Sequence, residues 1–256
     1  MKHEHFAAIV LAGSRPEGDP LAIAQNVPVK AMLDIAGQPM ISHVLRALKE
    51  CPLVDEIVIC GDKEYLNGID GAEFIKPDKT PSISVQRAMM SLPQDKPVLI
   101  TTADHPLLSA ATLSRFLDDS IKMPCDATVG VVEAELVKDA LPQTKRTTLK
   151  FAGEKLHGSN LFTLMGPQAK ALPVFWQRLE NFRKKPLRMA KELGFINSAL
   201  YLCGLLTIGK AFRDIGRLTS TVIRPVVIED PHAAVDVDKE SDLELVREIF
   251  KKQRLN

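Results

Sequence analysis

Three groups of residues have the types and spacing for chemistry on an anionic, oxygen-rich ligand. The first is a loop, Leu11-Ala12-Gly13-Ser14-Arg15, which runs through a stretch rich in Gly, Pro and Asp to Val29-Lys30. Where Gly removes the Cβ barrier, backbone N–H groups can approach phosphate oxygens, and Arg15 and Lys30 would neutralise their charge. An ordinary surface loop with two solvated bases accounts for the same residues. The second group is Asp104, in Thr102-Ala103-Asp104-His105-Pro106. A carboxylate at the end of an apolar run, fixed by a following Pro, can hold Mg²⁺, which takes hard oxygen ligands and only one or two protein carboxylates. Asp suits a helix or turn cap equally well. The third group is Asp236 and Asp238, two apart on an extended segment and so directed to the same side. Asp242 follows as a negative charge at a helix start. His105, beside a Pro-fixed turn, reads as a structural histidine rather than a base.

The elements around these residues alternate. Phe6–Ala12 is a continuous apolar run, suited to a strand buried on both faces. Met32–Ile35 is a short strand-like piece. Met40–Glu50 carries Ile41, Val44, Leu45 and Leu48 at helical spacing. Glu56–Cys60, Ala72–Ile75, Val98–Ala103 and Ala127–Val132 read as strands. Between them, Pro81–Leu92 reads as a helix capped near Ser82, and Ser109–Ile121 as one capped by Ser109. This order predicts an α/β fold with a mainly parallel, Rossmann-like sheet and helices on both faces. Ligands bind at the carboxyl ends of such strands, which puts the loop after Ala12 and the turn at Asp104 on one edge. Further on, Thr147–Phe151 and Asn160–Met165 pair as strands around Gly153 and Gly158. Residues 167–217 form a helical insertion with breaks near Pro186 and Gly194, and Thr221–Ile228 is a strand interrupted by Pro225. Ser241–Lys252 is an amphipathic helix. The chain thus reads as one domain in three parts: 1–134, 135–220 and 221–256.

Composition narrows the function classes. The net charge of +1 over 256 residues gives no global case for nucleic acid or an anionic membrane. Cys51, Cys60, Cys125 and Cys203 lie far apart and read as reduced, mostly buried thiols. No segment has signal-peptide architecture or the length to span a bilayer, so the expectation is a cytoplasmic protein. Neither G-x-x-x-x-G-K-[ST] nor G-x-G-x-x-G occurs, which excludes the two commonest nucleotide loops.

The string IVLAGSRPEGDP…VPVKAMLDIAGQPMISHVLRAL resembles the opening of the MobA-like nucleotidyltransferases, which include the sugar-phosphate and isoprenoid cytidylyltransferases. Their signature is LAGG-x-S-x-R-M-G-x-x-K-x-L followed by G-x-P-L-[IL]-x-H-V. Leu11-Ala12-Gly13, Arg15, Lys30, Gly37-Gln38-Pro39-Met40 and His43-Val44 follow it in order. Ser14 replaces one Gly, and the stretch from Arg15 to Lys30 is longer than usual. Ala234-Val235-Asp236-Val237-Asp238 with Asp242-Leu243 resembles the family's closing D-[IV]-[DN]-T-P-E-D-L.

The resemblance implies a GT-A-like fold and transfer of a nucleotidyl group from an NTP, with release of pyrophosphate, to a phosphorylated small-molecule acceptor. Leu11, Ala12, Gly13 and Ser14 would wrap the NTP phosphates, while Lys30 and Arg15 stabilise the pentacoordinate phosphorus. Ser84 would meet the nucleobase, although a helix cap explains the serines there too. Asp104 and Asp238 would hold Mg²⁺, with Asp236 the alternative to Asp238. Arg146 would meet the acceptor's phosphate unless Lys145-Arg146 is a solvated pair. Asn160 would lie beside the acceptor unless Gly158-Ser159-Asn160 is a plain hairpin turn. Arg183-Lys184-Lys185 and Arg188 next to the apolar run from Phe195 read as a buried helix edged by solvated bases, with a membrane-facing site the other option. Competing functions are a molybdopterin cytidylyl- or guanylyltransferase and a regulatory protein that binds NTP without turnover.

Overall fold

The computed structural model describes residues 5–14, 17–144, 146–182 and 185–255. Strand β1 (Phe6–Leu11) is followed by a five-residue helix α1 (Pro20–Ala24), capped by the Asp19 carboxylate, and a 3₁₀ turn at Lys30–Met32. A two-residue hairpin, β2 (Asp34–Ile35) and β3 (Gln38–Pro39), leads into α2 (Met40–Glu50). Next come β4 (Val54–Cys60), β5 (Glu73–Ile75), α3 (Pro81–Ser91), β6 (Val98–Thr102), α4 (Ala110–Lys122) and β7 (Ala127–Glu133). Helix α5 (Ala134–Ala140) precedes β8 (Leu149–Phe151) and β9 (Glu154–Leu164). Helices α6 (Ala171–Asn181), α7 (Pro186–Leu193), α8 (Phe195–Leu202) and α9 (Ile208–Thr219) form the insertion. Strand β10 (Ile223–Val227) and α10 (Glu240–Leu255) close the chain.

The main sheet has the order β10-β7-β9-β6-β1-β4-β5, with β8 paired to β9. Its β1–β4, β1–β6, β4–β5 and β7–β10 pairings are parallel, which bears out the mainly parallel expectation. Two sequence expectations change here. The segment around Gly158 is not a hairpin turn: β9 is one long strand that lies antiparallel between β6 and β7. A register shift opposite Val129–Val131 lets Asn160 adopt a left-handed φ of 51° inside it. Second, the piece at Met32–Ile35 is divided between the end of the 3₁₀ turn at Met32 and the short strand β2 at Asp34–Ile35, and α1 occupies what looked like open loop. Pro225 is tolerated because β10 is an edge strand, where a missing N–H breaks no ladder.

Alternation along β1 builds both layers. Phe6, Ala8 and Val10 face a core with Val44 and Leu48 of α2 and Leu113 and Phe116 of α4. Ala7 and Ile9 face the opposite core with Val85 and Ala88 of α3. Each fully buried aliphatic of this kind contributes about 1.5–3 kcal/mol. A third cluster joins Leu33, Ile35 and Met40 to Val235, Val237 and Leu243, and so packs the turn carrying Lys30 against the segment carrying Asp236 and Asp238.

Gly130 on β7 lies against the irregular stretch of β9. A Cβ there would lie 2.3 Å from Ser159 Oγ and 2.9 Å from Ile228 Cδ1. Gly130→Ala should therefore destabilise the protein by about 1–3 kcal/mol through overpacking. Denaturant unfolding checks this; an unchanged midpoint would mean that β9 yields without strain.

Candidate active site

Because β1, β4 and β6 are parallel neighbours, their carboxyl ends share one edge of the sheet. The Ala12 N–H donates to Cys60 O at 2.9 Å and the Ala103 N–H to Leu11 O at 2.9 Å, which extends the ladder to the start of both functional loops. Beyond that edge lies a cavity of about 390 Å³. Leu11, Ala12, Gly13, Ser14, Lys30, Ser84, Asp104 and Asn160 all line it. These residues, scattered through the first 160 positions, are brought together around one cavity, Asn160 among them although the sequence reading set it beside the acceptor. Arg15 lies outside the described residues.

Lys30 is the hub. Its Nζ donates to Asp104 Oδ2 at 2.7 Å and to Asp238 Oδ1 at 2.9 Å. Burial by itself would lower the Lys30 pKa, but the two carboxylates outweigh it and raise the group above the ordinary lysine value. Burial would likewise push the Asp104 carboxyl up, yet Lys30, with a hydrogen bond from the Thr102 hydroxyl, holds it below the usual carboxylate range. Asp104 is also fixed through its backbone, since its carbonyl accepts from the Val237 N–H at 2.9 Å. Asp238 is the most exposed member of the trio, with its side chain 63% exposed.

Asp236 and Asp238 line one further cavity of about 320 Å³, but their carboxylates take different partners. Asp236 pairs with the Arg146 guanidinium and accepts from Asn160 Nδ2 at 3.4 Å. Burial raises the Asp236 pKa against the pull of His105 and Arg146. Arg146 is therefore a buried residue and no solvated charge; Lys145 lies outside the described residues. Asp242 does more than face a helix dipole. Its Oδ2 accepts from the Asp238 and Lys239 N–H groups at 3.1 and 3.2 Å, and its other oxygen lies 3.5 Å from Arg146. His105 is buried, and Asn160 Nδ2 donates to its Nε2 at 3.0 Å. Among the described residues its Nδ1 finds no partner, and burial lowers its pKa. A neutral imidazole in that setting positions Asn160.

Other assignments shift. Thr80, with Pro81 at the first turn, caps α3, which corrects the expected cap at Ser82. Ser82 is buried and bonds Glu180 of α6, so the insertion packs on the helix whose Pro81 and Ser84 line the cavity. Ser84 Oγ accepts from the Asp78 N–H at 2.8 Å and donates to Thr80 O at 3.1 Å, tying the loop that lines the cavity. Phe162 and Trp176 form part of the wall, and sequence reasoning missed both. Their only signal was being aromatic in a chain with few aromatics. Of the cysteines, Cys51 and Cys60 are buried and Cys203 is exposed; burial pushes the Cys60 thiol up to about 12, so it is unreactive.

An α/β sheet with a glycine-bearing loop, a lysine and separated carboxylates at its carboxyl edge defines a nucleotide-handling α/β protein. The family model for the MobA-like NTP transferase domain matches residues 8–187. The chain belongs to that family of nucleotidyltransferases. It is similar to a structure described as a hypothetical transferase from Thermus thermophilus, with 29% identity and a TM-score of 0.81 over 93% of this chain and 99% of that one. It shares its fold with 4-diphosphocytidyl-2C-methyl-D-erythritol synthase from Anaerococcus prevotii DSM 20548, at a TM-score of 0.59 and 11% identity over 97% of both chains. In sequence it is 28% identical over 131 residues to the bifunctional protein GlmU of Syntrophomonas wolfei subsp. wolfei (strain DSM 2245B / Goettingen), covering 48% of this chain. The aligned region spans only 28% of that relative's length.

Trp176 is the sole tryptophan, and it borders the cavity. Titration with NTP should therefore change its fluorescence in a saturable way. Binding seen by calorimetry with no change in emission would place the nucleotide elsewhere.

Proposed function

We propose that this chain is a Mg²⁺-dependent nucleotidyltransferase that moves an NMP unit from an NTP to a phosphorylated small molecule and releases pyrophosphate. The observation that carries this reading is the convergence of Asp104 and Asp238, from opposite halves of the chain, on the one Lys30 ammonium beside the glycine-bearing loop. A site that draws one cation between two carboxylates fits Mg²⁺ in donor chemistry, because both supply hard oxygens. Among the described residues no group of three or more His, Cys, Asp or Glu side chains converges, so remaining ligands would be phosphate oxygens and water, as is usual for this ion. Asp104 and Asp238 would hold it; Asp236 is engaged by Arg146 and supports the segment. When bound, the ion would polarise phosphoryl oxygens and neutralise their charge.

In this reaction an acceptor phosphate oxygen forms a bond to the α-phosphorus while the bond to the β-phosphate oxygen breaks, and pyrophosphate leaves. A phosphate acceptor is already ionised, so no general base is needed and His105 has no step to perform. The N–H groups of Gly13 and Ser14 would orient the polyphosphate, since that of Ala12 is engaged by Cys60 O. Lys30, released from the carboxylates, follows the charge that develops on the phosphoryl oxygens. Asn160 borders both cavities, which suits it to the boundary between nucleotide and acceptor.

The test is pyrophosphate release from each of the four NTPs with Mg²⁺ over a panel of phosphorylated acceptors. Tight NTP binding with no pyrophosphate from any pair would favour a sensor. Lys30→Ala and Asp104→Ala should each lower turnover by about 10²–10³-fold, the scale of losing one preorganised charge contact, with circular dichroism unchanged. Asp238→Ala should raise the Mg²⁺ concentration needed for half-maximal rate far more than Asp236→Ala. The opposite order would exchange their roles.

A further inference from the structure

Helix α8 presents an apolar face to solvent, and α7 exposes Leu187 beside Arg188 and Lys191. None of their described side chains is buried. On α8, helical spacing puts Phe195, Ile196, Ala199 and Leu202 on one face, and all four are exposed. Ile196 is 75% and Leu202 85% exposed. The polar residues point the other way: Ser198 Oγ donates to Gly194 O at 3.1 Å, and Asn197 accepts from Lys210 Nζ at 2.8 Å. The expectation of a buried helix is thus overturned. Leu187 on α7 and Leu205 after α8 add to the apolar surface, so that, with Tyr201, six of the fourteen exposed large apolar side chains among the described residues fall between residues 187 and 205. Monomeric soluble surfaces seldom concentrate apolar side chains in this way unless something covers them.

Charge identifies what covers it. Residues 183–217 carry eight Lys and Arg against Glu192 and Asp214, a net +6, while the whole chain is +1, which leaves the remainder at −5. Lys185, Arg188 and Lys191 are exposed, and Arg188 and Lys191 share the α7 face with Leu187. Apolar side chains directed outward beside exposed cations match the interface of an anionic bilayer, where the side chains enter the acyl boundary and the cations meet phosphate headgroups.

We propose that α7 and α8 form a platform that seats this protein on an anionic lipid surface. No helix among the described residues is long and apolar enough to cross a membrane, so the attachment is peripheral. The platform continues directly from α6, whose Trp176 borders the nucleotide cavity.

Sedimentation of the full chain with phosphatidylcholine vesicles, with and without phosphatidylglycerol, tests this in the absence of nucleotide, so the outcome is independent of the proposed reaction. The protein should pellet with the anionic vesicles only, and added salt should release it. Combined Lys185→Glu, Arg188→Glu and Lys191→Glu should weaken partitioning by roughly 100-fold or more, at the usual contribution per basic residue near a charged surface. Combined Ile196→Ser and Leu202→Ser should weaken it about tenfold or more. Both variants alter exposed side chains and should keep the wild-type melting temperature. Failure to pellet with anionic vesicles, or undiminished pelleting of the serine variant, overturns the proposal. So does a dimer by light scattering that the serine variant converts to monomer, since the patch then belongs to a second copy.

Discussion

The Lys30 ammonium held between the Asp104 and Asp238 carboxylates is the contact on which the rest of the site depends. Its three members come from a 3₁₀ turn, the end of a central strand and the segment before the last helix, so the pair forms only when the whole chain has closed. Ion pairs with little solvent cost desolvation and are poor evidence for stability. Here the surroundings hold them in place by other means. The cluster of Leu33, Ile35 and Met40 with Val235, Val237 and Leu243 presses the turn against the closing segment. The bond from the Val237 N–H to Asp104 O locks that segment to the strand end, and Asp242 collects the N–H groups of residues 238 and 239. Apolar packing sets the distance, and the charges occupy the positions that result.

The central antiparallel strand is the second constraint. With β9 between β6 and β7, residues far along the chain reach the carboxyl edge that β1 and β6 define. The irregular stretch opposite Gly130 turns Asn160 toward the meeting point of the two cavities, where it bonds His105 and Asp236. The buried Arg146 then offsets Asp236. One cavity is thus lined by the glycine-bearing loop with Lys30 and Asp104, and its neighbour by Arg146 with Asp236, Asp238 and Asp242.

The insertion follows different rules. Helix α6 belongs to the core: it packs on α3, and its Glu180 bonds Ser82. Helices α7 and α8 bury no described side chain: Tyr201 touches Phe151 of β8, but Leu187, Phe195, Ile196 and Leu202 face outward, and Asn197 is satisfied within the insertion. A helix of this composition gains nothing from water on its apolar face, and the excess of positive charge around it restricts which surfaces could cover it.

Much of the fold was legible in the sequence because local periodicity reports it. The apolar run of Phe6–Leu11 and the helical spacing of Ile41, Val44, Leu45 and Leu48 each specify an element without reference to the rest of the chain. The rule that ligands sit at strand carboxyl ends then brought Lys30 and Asp104 to one edge. What only tertiary structure decided is where partners come from. Gly158 reads as a turn because glycine favours turns, yet pairing on both sides holds β9 straight through it. Arg146 reads from its neighbours either as an anion-binding base or as a solvated one; that it pairs with Asp236, ninety positions away, is not legible locally. The direction in which α8 faces is likewise absent from its own residues, since an apolar run looks the same whether it faces a core or the solvent. Sequence patterns record each residue's own preference, whereas pairing and burial depend on distant parts of the chain that local pattern does not record.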